Sequence, residues 1–281
     1  MPITTKQRES RKNYLCSTDI VKIMMGQGYE VWAEKTDKLQ PQKTTDAMEM
    51  GNAFERGIIA AAIKAGLLGP VIHNQFRVLD GTKIAAHLDA IEKATAKPVE
   101  AKLRRFDEGW GEPNSDQVPD DVIIQAQVHL MCTKEDFEKI FAVIAARGFR
   151  VQPFFVPTDK DLVEIILQIA DNFWRHNIEA DTPPDDSMPS LDVIKRIRRQ
   201  PNSIIEIGKE LIDEREKNQA VLRKATEDFE IADLALKTAL GTAEAGRFNG
   251  GLVTYYQYHK KAETKLREAY DYRCLHIKKD K

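Results

Sequence analysis

The chain has few cysteines, and none lies in a metal-binding or disulfide motif. Only Cys16, Cys132 and Cys274 occur in 281 residues, and no two of them form a Cys-x-x-Cys pair. Three widely separated cysteines are expected to stay reduced. The sequence therefore argues against a disulfide framework and against a cysteine zinc site.

Long apolar runs are also missing. No segment approaches the roughly 20 consecutive apolar residues that cross a bilayer. The first eight residues lack the apolar core of a secretory signal. We therefore expect a cytoplasmic protein without a membrane partner.

Neither sign of charge is in excess, because 42 Lys and Arg residues face 44 Asp and Glu residues and the formal net charge is −2. This balance argues against a protein that merely coats nucleic acid. Phosphate binding needs local basic clusters rather than a basic chain. Such clusters are Lys6, Arg8, Arg11 and Lys12; Lys102, Arg104 and Arg105; Lys195, Arg196, Arg198 and Arg199; and Lys260, Lys261, Lys265 and Arg267.

Three strands are predicted in the first half of the chain. Residues 71–78 form the first, and Asp80-Gly81 is a typical tight turn. Residues 83–89 return as the second strand, and residues 98–103 form the third. A helix is predicted to begin near Pro119.

Carboxylates and a lysine fall on two of these strands. Strand side chains alternate, so Glu100 and Lys102 share a face that Ala101 does not. If the strand of Asp89 pairs beside them, two carboxylates and an ammonium group converge. Mg²⁺ binds carboxylate oxygens, and a nearby lysine can orient water or stabilise phosphate charge. The same spacing also arises by chance in charged chains, where it is an exposed hairpin.

Several sequence blocks stand in the order of a known family. They are Arg11 to Ile20, Gly51 to Glu55, Asp89, Glu100-Ala101-Lys102, Trp110-Gly111-Glu112, Val118-Pro119 and Gln125-Ala126-Gln127-Val128-His129. With these blocks the chain resembles the lambda exonuclease and YqaJ-like viral recombinase group of the PD-(D/E)xK nucleases. The resemblance extends from residue 11 to about residue 135.

The resemblance implies an α/β (α+β) fold with a restriction-endonuclease-like core, in which helices flank a mixed central sheet. We assign residues 1–180 to this core, residues 181–190 to a proline-rich linker and residues 191–281 to a C-terminal module. The module is predicted to be mostly helical, with a coiled coil or helical arm over residues 203–240 that ends at Gly241. Short strands are expected over residues 254–261 and 272–278.

The resemblance also implies a metal site. Asp89, Glu100 and the Ala101 carbonyl would hold one Mg²⁺, for which Mn²⁺ is the expected substitute. Glu55 would reach in from its helix and help to seat a second ion.

Two kinds of side chain would act on the attacking water. Lys102 would position or deprotonate it. Gln125 would orient the water or a metal-bound oxygen, and Gln127 is a second candidate. Residues i and i+2 of a helix do not share a face, so we favour Gln125. Both glutamines are also simply good helix formers.

A 5′-phosphate site is implied near the start of the chain. Arg11 would bind the phosphate with Thr18 and Ser17 at a helix N-terminus, although the two hydroxyl residues also suit a simple helix cap. His87 replaces a small polar residue of the family and could face the phosphate when protonated, or be an ordinary strand histidine. Ala90 stands where the family often has glycine. Further DNA contacts are expected from Arg104 and Arg105.

The function implied is a Mg²⁺-dependent hydrolase that degrades the 5′ strand of duplex DNA. It would leave a 3′ overhang that a single-strand annealing partner uses in recombination. Ring-shaped trimers occur in this group, so a homo-oligomer is expected. One alternative is an endonuclease of the same chemistry that makes internal cuts in phage DNA processing or restriction. The other is a non-catalytic DNA-binding or scaffold protein.

Overall fold

A computed structural model describes residues 11–185 and 188–256. The chain forms two compact units that divide between Arg198 and Arg199. The strand predicted over residues 272–278, and that over 254–261 beyond residue 256, lie outside the described residues.

The first unit contains six helices and six strands among its described residues. The helices are α1 (Ser17–Met24), α2 (Gly28–Lys35), α3 (Asp46–Lys64), α4 (Asp120–Thr133), α5 (Lys160–Phe173) and α6 (Leu191–Arg196). The strands are β1 (Leu15–Cys16), β2 (Val71–Val78), β3 (Ile84–Glu92), β4 (Pro98–Arg104), β5 (Phe137–Ile144) and β6 (Val151–Pro157). A π-helical turn, Trp174–Glu179, follows α5.

The six strands form one mixed sheet in the order β1-β3-β4-β5-β6, with β2 also paired to β3. The β2–β3 hairpin is antiparallel and turns at Gly81, whose φ of 74° suits glycine. β4 pairs antiparallel to β3 and parallel to β5. The three predicted strands are therefore present. β5 and β6 were not predicted.

Helices cover both faces of this sheet. On β5, Ile140, Ala142 and Ile144 pack with residues of α4. The alternate residues Phe141 and Val143 pack with α3 on the opposite face. Full burial of a side chain such as Phe141 contributes about 1.5–3 kcal/mol, so this period-two pattern fixes the three-layer arrangement. The mixed α/β fold is the predicted one.

The second unit holds a long helix and a hairpin. α7 (Lys209–Leu240) ends at Gly241, as predicted, and strands β7 (Ala245–Phe248) and β8 (Gly251–Thr254) pair antiparallel. None of the 32 residues of α7 is buried in the described structure. The helix begins six residues later than predicted, because the extended residue Gly208 precedes its first turn.

The segment after the proline-rich stretch belongs to the first unit. Val193 of α6 is buried in the core, and Arg196 forms ion pairs with Glu30 and Glu34 of α2 at 2.7 and 2.8 Å. The prediction assigned residues from 191 onward to the arm, whereas the compact units divide at residue 198. The organisation into nuclease core, linker and arm stays a prediction.

Among the described residues, no helix combines the length and the apolar character that a membrane crossing requires.

A buried carboxylate ties three parts of the first unit together. Glu92, at the end of β3, accepts hydrogen bonds from Lys139 Nζ at 2.6 Å, from the Gly69 N–H at 2.9 Å and from the Thr95 hydroxyl. Burial opposes its ionisation, but these donors lower the pKa of the Glu92 carboxyl below its ordinary value. The ionised carboxylate therefore stabilises the fold.

We expect Glu92→Gln to lower the free energy of unfolding by about 1–3 kcal/mol at pH 7, because buried donors lose their charged acceptor. An acid with a lowered pKa stabilises the folded state above its ordinary pKa, and this contribution disappears as pH falls through the lowered value. Urea unfolding should therefore show the difference between wild type and variant shrinking as the pH falls below 4.5, the ordinary pKa of the group. Asp80→Asn, at an exposed ion pair with Lys134, is the control and should have little effect. An equal loss of unfolding free energy at pH 7 and at acidic pH would contradict an ionised Glu92 carboxylate.

Candidate active site

The strand ladder between β3 and β4 ends where the predicted acidic residues begin. The paired residues are Ala90 with Val99 and Ile91 with Pro98. Asp89 lies directly before Ala90 in β3, just beyond the paired residues, and its carboxylate Oδ2 accepts the Ala101 N–H at 2.9 Å. A side chain thus satisfies a backbone donor at the end of the ladder. This places Asp89 beside the strand that carries Glu100.

Lys102 and Gln125 both bind Glu100. Lys102 Nζ lies 2.7 Å from Glu100 Oε1 and 2.6 Å from Gln125 Oε1. Gln125, on α4, also donates its amide N–H to Glu100 Oε1 at 2.9 Å. Each of the three groups therefore fixes the other two.

Negative charge is concentrated at this point. Burial, then Glu100 and Glu55, raises the pKa of Asp89 well above its ordinary value. Burial and Glu100 also raise the pKa of Glu55 on α3. At Glu100 burial acts in the same direction, but Lys102 and His129 outweigh it and lower the pKa. Three carboxylates in one electrostatic neighbourhood create a demand for positive charge.

Lys102 supplies part of that charge. Burial disfavours its ammonium form, but Glu100 and Asp89 outweigh this and raise its pKa. The raised pKa favours the ammonium form of Lys102, which suits the positioning role predicted for it. Its alternative role, deprotonation of water, stays a prediction.

The donor set fits a hard divalent cation. Glu100 Oε2 is buried without a hydrogen-bond partner among the described residues. An unpaired buried carboxylate oxygen is costly, and a metal ion would satisfy it. Carboxylates of this kind are the ligands that Mg²⁺ and Mn²⁺ take.

A second buried group, which was not predicted, adjoins Glu100. His129 of α4 and Glu138 of β5 are both fully buried, and their Nδ1 and Oε1 atoms lie 2.7 Å apart. On the other side of the ring, His129 Nε2 lies 3.2 Å from Ser17 Oγ. Burial opposes protonation of His129, but Glu138 and Glu100 raise its pKa.

Glu100, His129 and Glu138 each offer one ligand atom, and these atoms lie within 4.8 Å of one another. His129 was visible in the Gln-x-Gln-x-His block. Glu138 was detectable only as an acidic residue in a strand-like apolar run, and that strand was not predicted.

Gln127 does not reach the site. Its amide group donates to the Pro157 carbonyl at 2.9 Å and accepts the Asp159 N–H at 2.9 Å. These bonds use both ends of the amide on the opposite side of α4 from Gln125. Its proposed role as a second water-orienting residue is therefore corrected to a structural one.

The predicted phosphate-binding residues meet at the start of α1. Arg11 Nη2 donates to Thr18 Oγ1 at 3.2 Å. The N-cap of the helix is Cys16, whose N–H donates to Asp19 Oδ2 at 2.8 Å. Ser17 and Thr18 are therefore the first two helical residues, and the alternative that one of them caps the helix is wrong.

His87 shares a face of β3 with Asp89 and packs against Phe76, with 4.6 Å between ring centroids. Burial, together with Arg11, lowers the pKa of His87 to about 4. A pKa this low favours the neutral ring at pH 7, as in an ordinary strand histidine, over the protonated form that a charged phosphate contact requires. Its Nε2 atom is buried without a partner among the described residues.

The two other predicted DNA contacts have partners within the chain. Arg104 Nη2 donates to Asp121 Oδ2 at 2.6 Å. The Arg105 guanidinium lies 5.1 Å from the centre of the Phe106 ring. Phe106 is exposed, so Arg105 and this ring form a cationic and aromatic surface at the end of β4.

Comparison with known proteins gives a matching family model and similar folds. Residues 8–136 match the family model of the YqaJ-like viral recombinase domain. An alkaline exonuclease, LHK-Exo from Laribacter hongkongensis, shares 16% sequence identity and superposes with a TM-score of 0.50, covering 63% of this chain and 94% of that chain. LHK-Exo in complex with dAMP gives 16% identity, a TM-score of 0.51 and the same coverage. No curated protein matches the chain in sequence.

These findings confirm the family resemblance, and they confirm the restriction-endonuclease-like fold. They also support a phage-type nuclease.

The neutrality of His87 can be measured directly. We expect its imidazole to titrate near the low pKa, about 4, that burial and Arg11 impose. NMR titration of the histidine ring signals should show one that stays neutral from pH 8 down to about 5. The same signal must be missing from His87→Asn, which assigns it. A His87 midpoint above pH 6 would restore the protonated phosphate contact.

Proposed function

Because residues 8–136 match the family model of the YqaJ-like viral recombinase domain, we propose that the chain is a Mg²⁺-dependent exonuclease. It degrades the 5′ strand of duplex DNA and leaves a 3′ overhang. The observation that carries the proposal is the meeting of Asp89, Glu100, Lys102 and Gln125 at the end of the β3–β4 ladder. LHK-Exo, which has the same fold, is described as an alkaline exonuclease.

Asp89, Glu100 and the Ala101 carbonyl would hold Mg²⁺, or Mn²⁺ in its place, and Glu55 would contribute to a second position. When bound, the metal supplies positive charge to the scissile phosphate and acidifies water. Such charge is needed because hydrolysis of a phosphodiester requires the removal of roughly 20 kcal/mol of barrier.

The chain's own residues then orient the reacting groups. Lys102 is held by Glu100 and Gln125, so its ammonium has a fixed direction before DNA arrives. A preorganised cation stabilises developing phosphate charge without reorganisation. The Gln125 amide fixes the positions of the Glu100 and Lys102 side chains relative to each other.

The end of the DNA would bind at the start of α1. Arg11 presents its guanidinium beside the Thr18 hydroxyl, and the first N–H groups of the helix favour an anion. Neutral His87 would face the same region as a hydrogen-bonding ring rather than as a charge.

Further proposals concern the duplex and the partners. Arg104 and Arg105 would contact the duplex, the protein would form a homo-oligomer such as a trimer, and a single-strand annealing partner would take the overhang.

The exonuclease and endonuclease alternatives give different products. We expect linear duplexes to be digested in Mg²⁺ from the 5′ end, and a supercoiled circle to stay intact. Nicking of the circle would favour the endonuclease. Duplex binding without cleavage of either substrate would favour the non-catalytic alternative.

The chemistry of the site can be tested at two residues. Lys102→Ala should slow cleavage by about 100-fold or more, because a positioned cation is lost at the phosphate, while duplex binding in Ca²⁺ stays near wild type. Asp89→Ala should lose cleavage and Mn²⁺ binding together. Lys139→Ala is the matched control, because Lys139 is as buried as Lys102 (side chains 15% and 16% exposed) but bonds Glu92. Near wild-type cleavage by either site variant would contradict the proposed chemistry.

The end-binding role can be tested at Arg11. Arg11→Ala should slow digestion of 5′-phosphorylated ends about 10-fold more than that of 5′-hydroxyl ends, because only the phosphate offers a dianion to the guanidinium. Lys12→Ala is the control, since its ammonium binds Asp37 at 3.1 Å. Equal slowing of both substrates would reduce Arg11 to general DNA attraction or to structure.

A further inference from the structure

His129 contacts both halves of the candidate site. The residue lies one helical turn after Gln125 on α4 and is fully buried. Its Nδ1 atom lies 2.7 Å from Glu138 Oε1 and 4.0 Å from Glu100 Oε2. Its Nε2 atom lies 3.2 Å from Ser17 Oγ. One imidazole ring therefore touches the acidic end of the site and the first residue of α1.

The sheet register explains why two glutamates meet this ring. Glu100 of β4 is paired with Ile140 of β5 in a parallel ladder. Glu138 precedes Ile140 by two residues, so it lies on the same face as Glu100. α4 packs over that face, and His129 reaches both carboxylates from the helix. The position of Glu100 Oε2 is thus bounded by a group that is itself held by Glu138.

The connection to α1 is equally direct. Ser17 is buried and adjoins Thr18, whose hydroxyl accepts from Arg11. An anion that attracts the Ser17 hydroxyl would shift the hydrogen bond between that hydroxyl and His129 Nε2. Since the ring is rigid, displacement at Nε2 also displaces Nδ1 beside Glu100.

We infer that His129 is a positioning residue. Through Ser17 it couples the proposed 5′-phosphate site at the start of α1 to Glu100, the proposed metal-binding carboxylate. The inference rests on the proposed function, since it assumes the phosphate and metal sites named there. It assigns to a side chain outside the proposed DNA and metal ligands a role in making each site sensitive to the other. Partners that orient a metal ligand typically change metal affinity by about 10- to 100-fold when they are removed.

The variants separate this coupling from simple structural support. His129→Asn shortens the side chain so that it cannot span Glu138 and Ser17 together. Ser17→Ala removes only the hydroxyl and leaves the Glu138 contact intact. Gln127→Ala is the matched control, because Gln127 is also buried on α4 but bonds only the backbone at Pro157 and Asp159.

Two binding measurements on the full chain give readouts that do not need cleavage. Mn²⁺ affinity without DNA is measured by electron paramagnetic resonance of the free ion. End preference is the ratio of dissociation constants for 5′-hydroxyl and 5′-phosphorylated duplexes in Ca²⁺. Thermal unfolding reports structural damage in each variant.

We expect His129→Asn to weaken Mn²⁺ binding by about 10-fold and to reduce the end preference, although His129 lies outside both proposed ligand sets. Ser17→Ala should weaken Mn²⁺ binding across the same bridge. The double variant should be no worse than His129→Asn alone, because residues on one path are not additive. Gln127→Ala should lower the melting temperature and leave both the Mn²⁺ affinity and the end preference unchanged.

The inference is overturned if His129→Asn behaves like Gln127→Ala, with a lower melting temperature but an unchanged Mn²⁺ affinity and an unchanged end preference. It is also overturned if wild type has no end preference. If His129→Asn does not fold, Ser17→Ala alone decides, and unchanged Mn²⁺ affinity in that variant overturns the coupling. Absence of cleavage by wild type would instead count against the proposed function, and the binding ratios would still be measurable.

Discussion

The repulsion among Asp89, Glu100 and Glu55 is the constraint around which the first unit is arranged. A fold gains nothing in stability from crowding three carboxylates, and burial and their mutual proximity raise the pKa of both Asp89 and Glu55. The surrounding structure offsets this cost with the Ala101 N–H, the Lys102 ammonium and the Gln125 amide. Glu100 Oε2 still lacks a donor in the described residues. Such retained strain is typical of sites that bind a cation.

The sequence predicted the part of this site that follows local rules. Alternation along β4 places Glu100 and Lys102 on one face, and helical spacing separates Gln125 from Gln127. Family blocks located Glu55 and Arg11. These features need only the period of a strand or helix and the order of motifs along the chain.

Other features depend on contacts between distant segments, which a single sequence does not encode legibly. Glu138 lies on a strand that was not predicted, and its partner His129 is bound in turn to Ser17 of another helix. The neutral state of His87 follows from burial and from Arg11, 76 positions earlier in the chain. The placement of α6 depends on Arg196 reaching Glu30 and Glu34. Local periodicity gives no signal for any of these.

The two glutamines of α4 project from opposite sides of the helix. Gln127 binds the Pro157 carbonyl and the Asp159 N–H on one side of the helix, at the connection between β6 and α5. Gln125 and His129 reach Glu100 from other turns of the same helix. One helix therefore carries two separate sets of polar side chains, so a change in the set that supports the edge of the sheet can leave the set at the acidic residues in place.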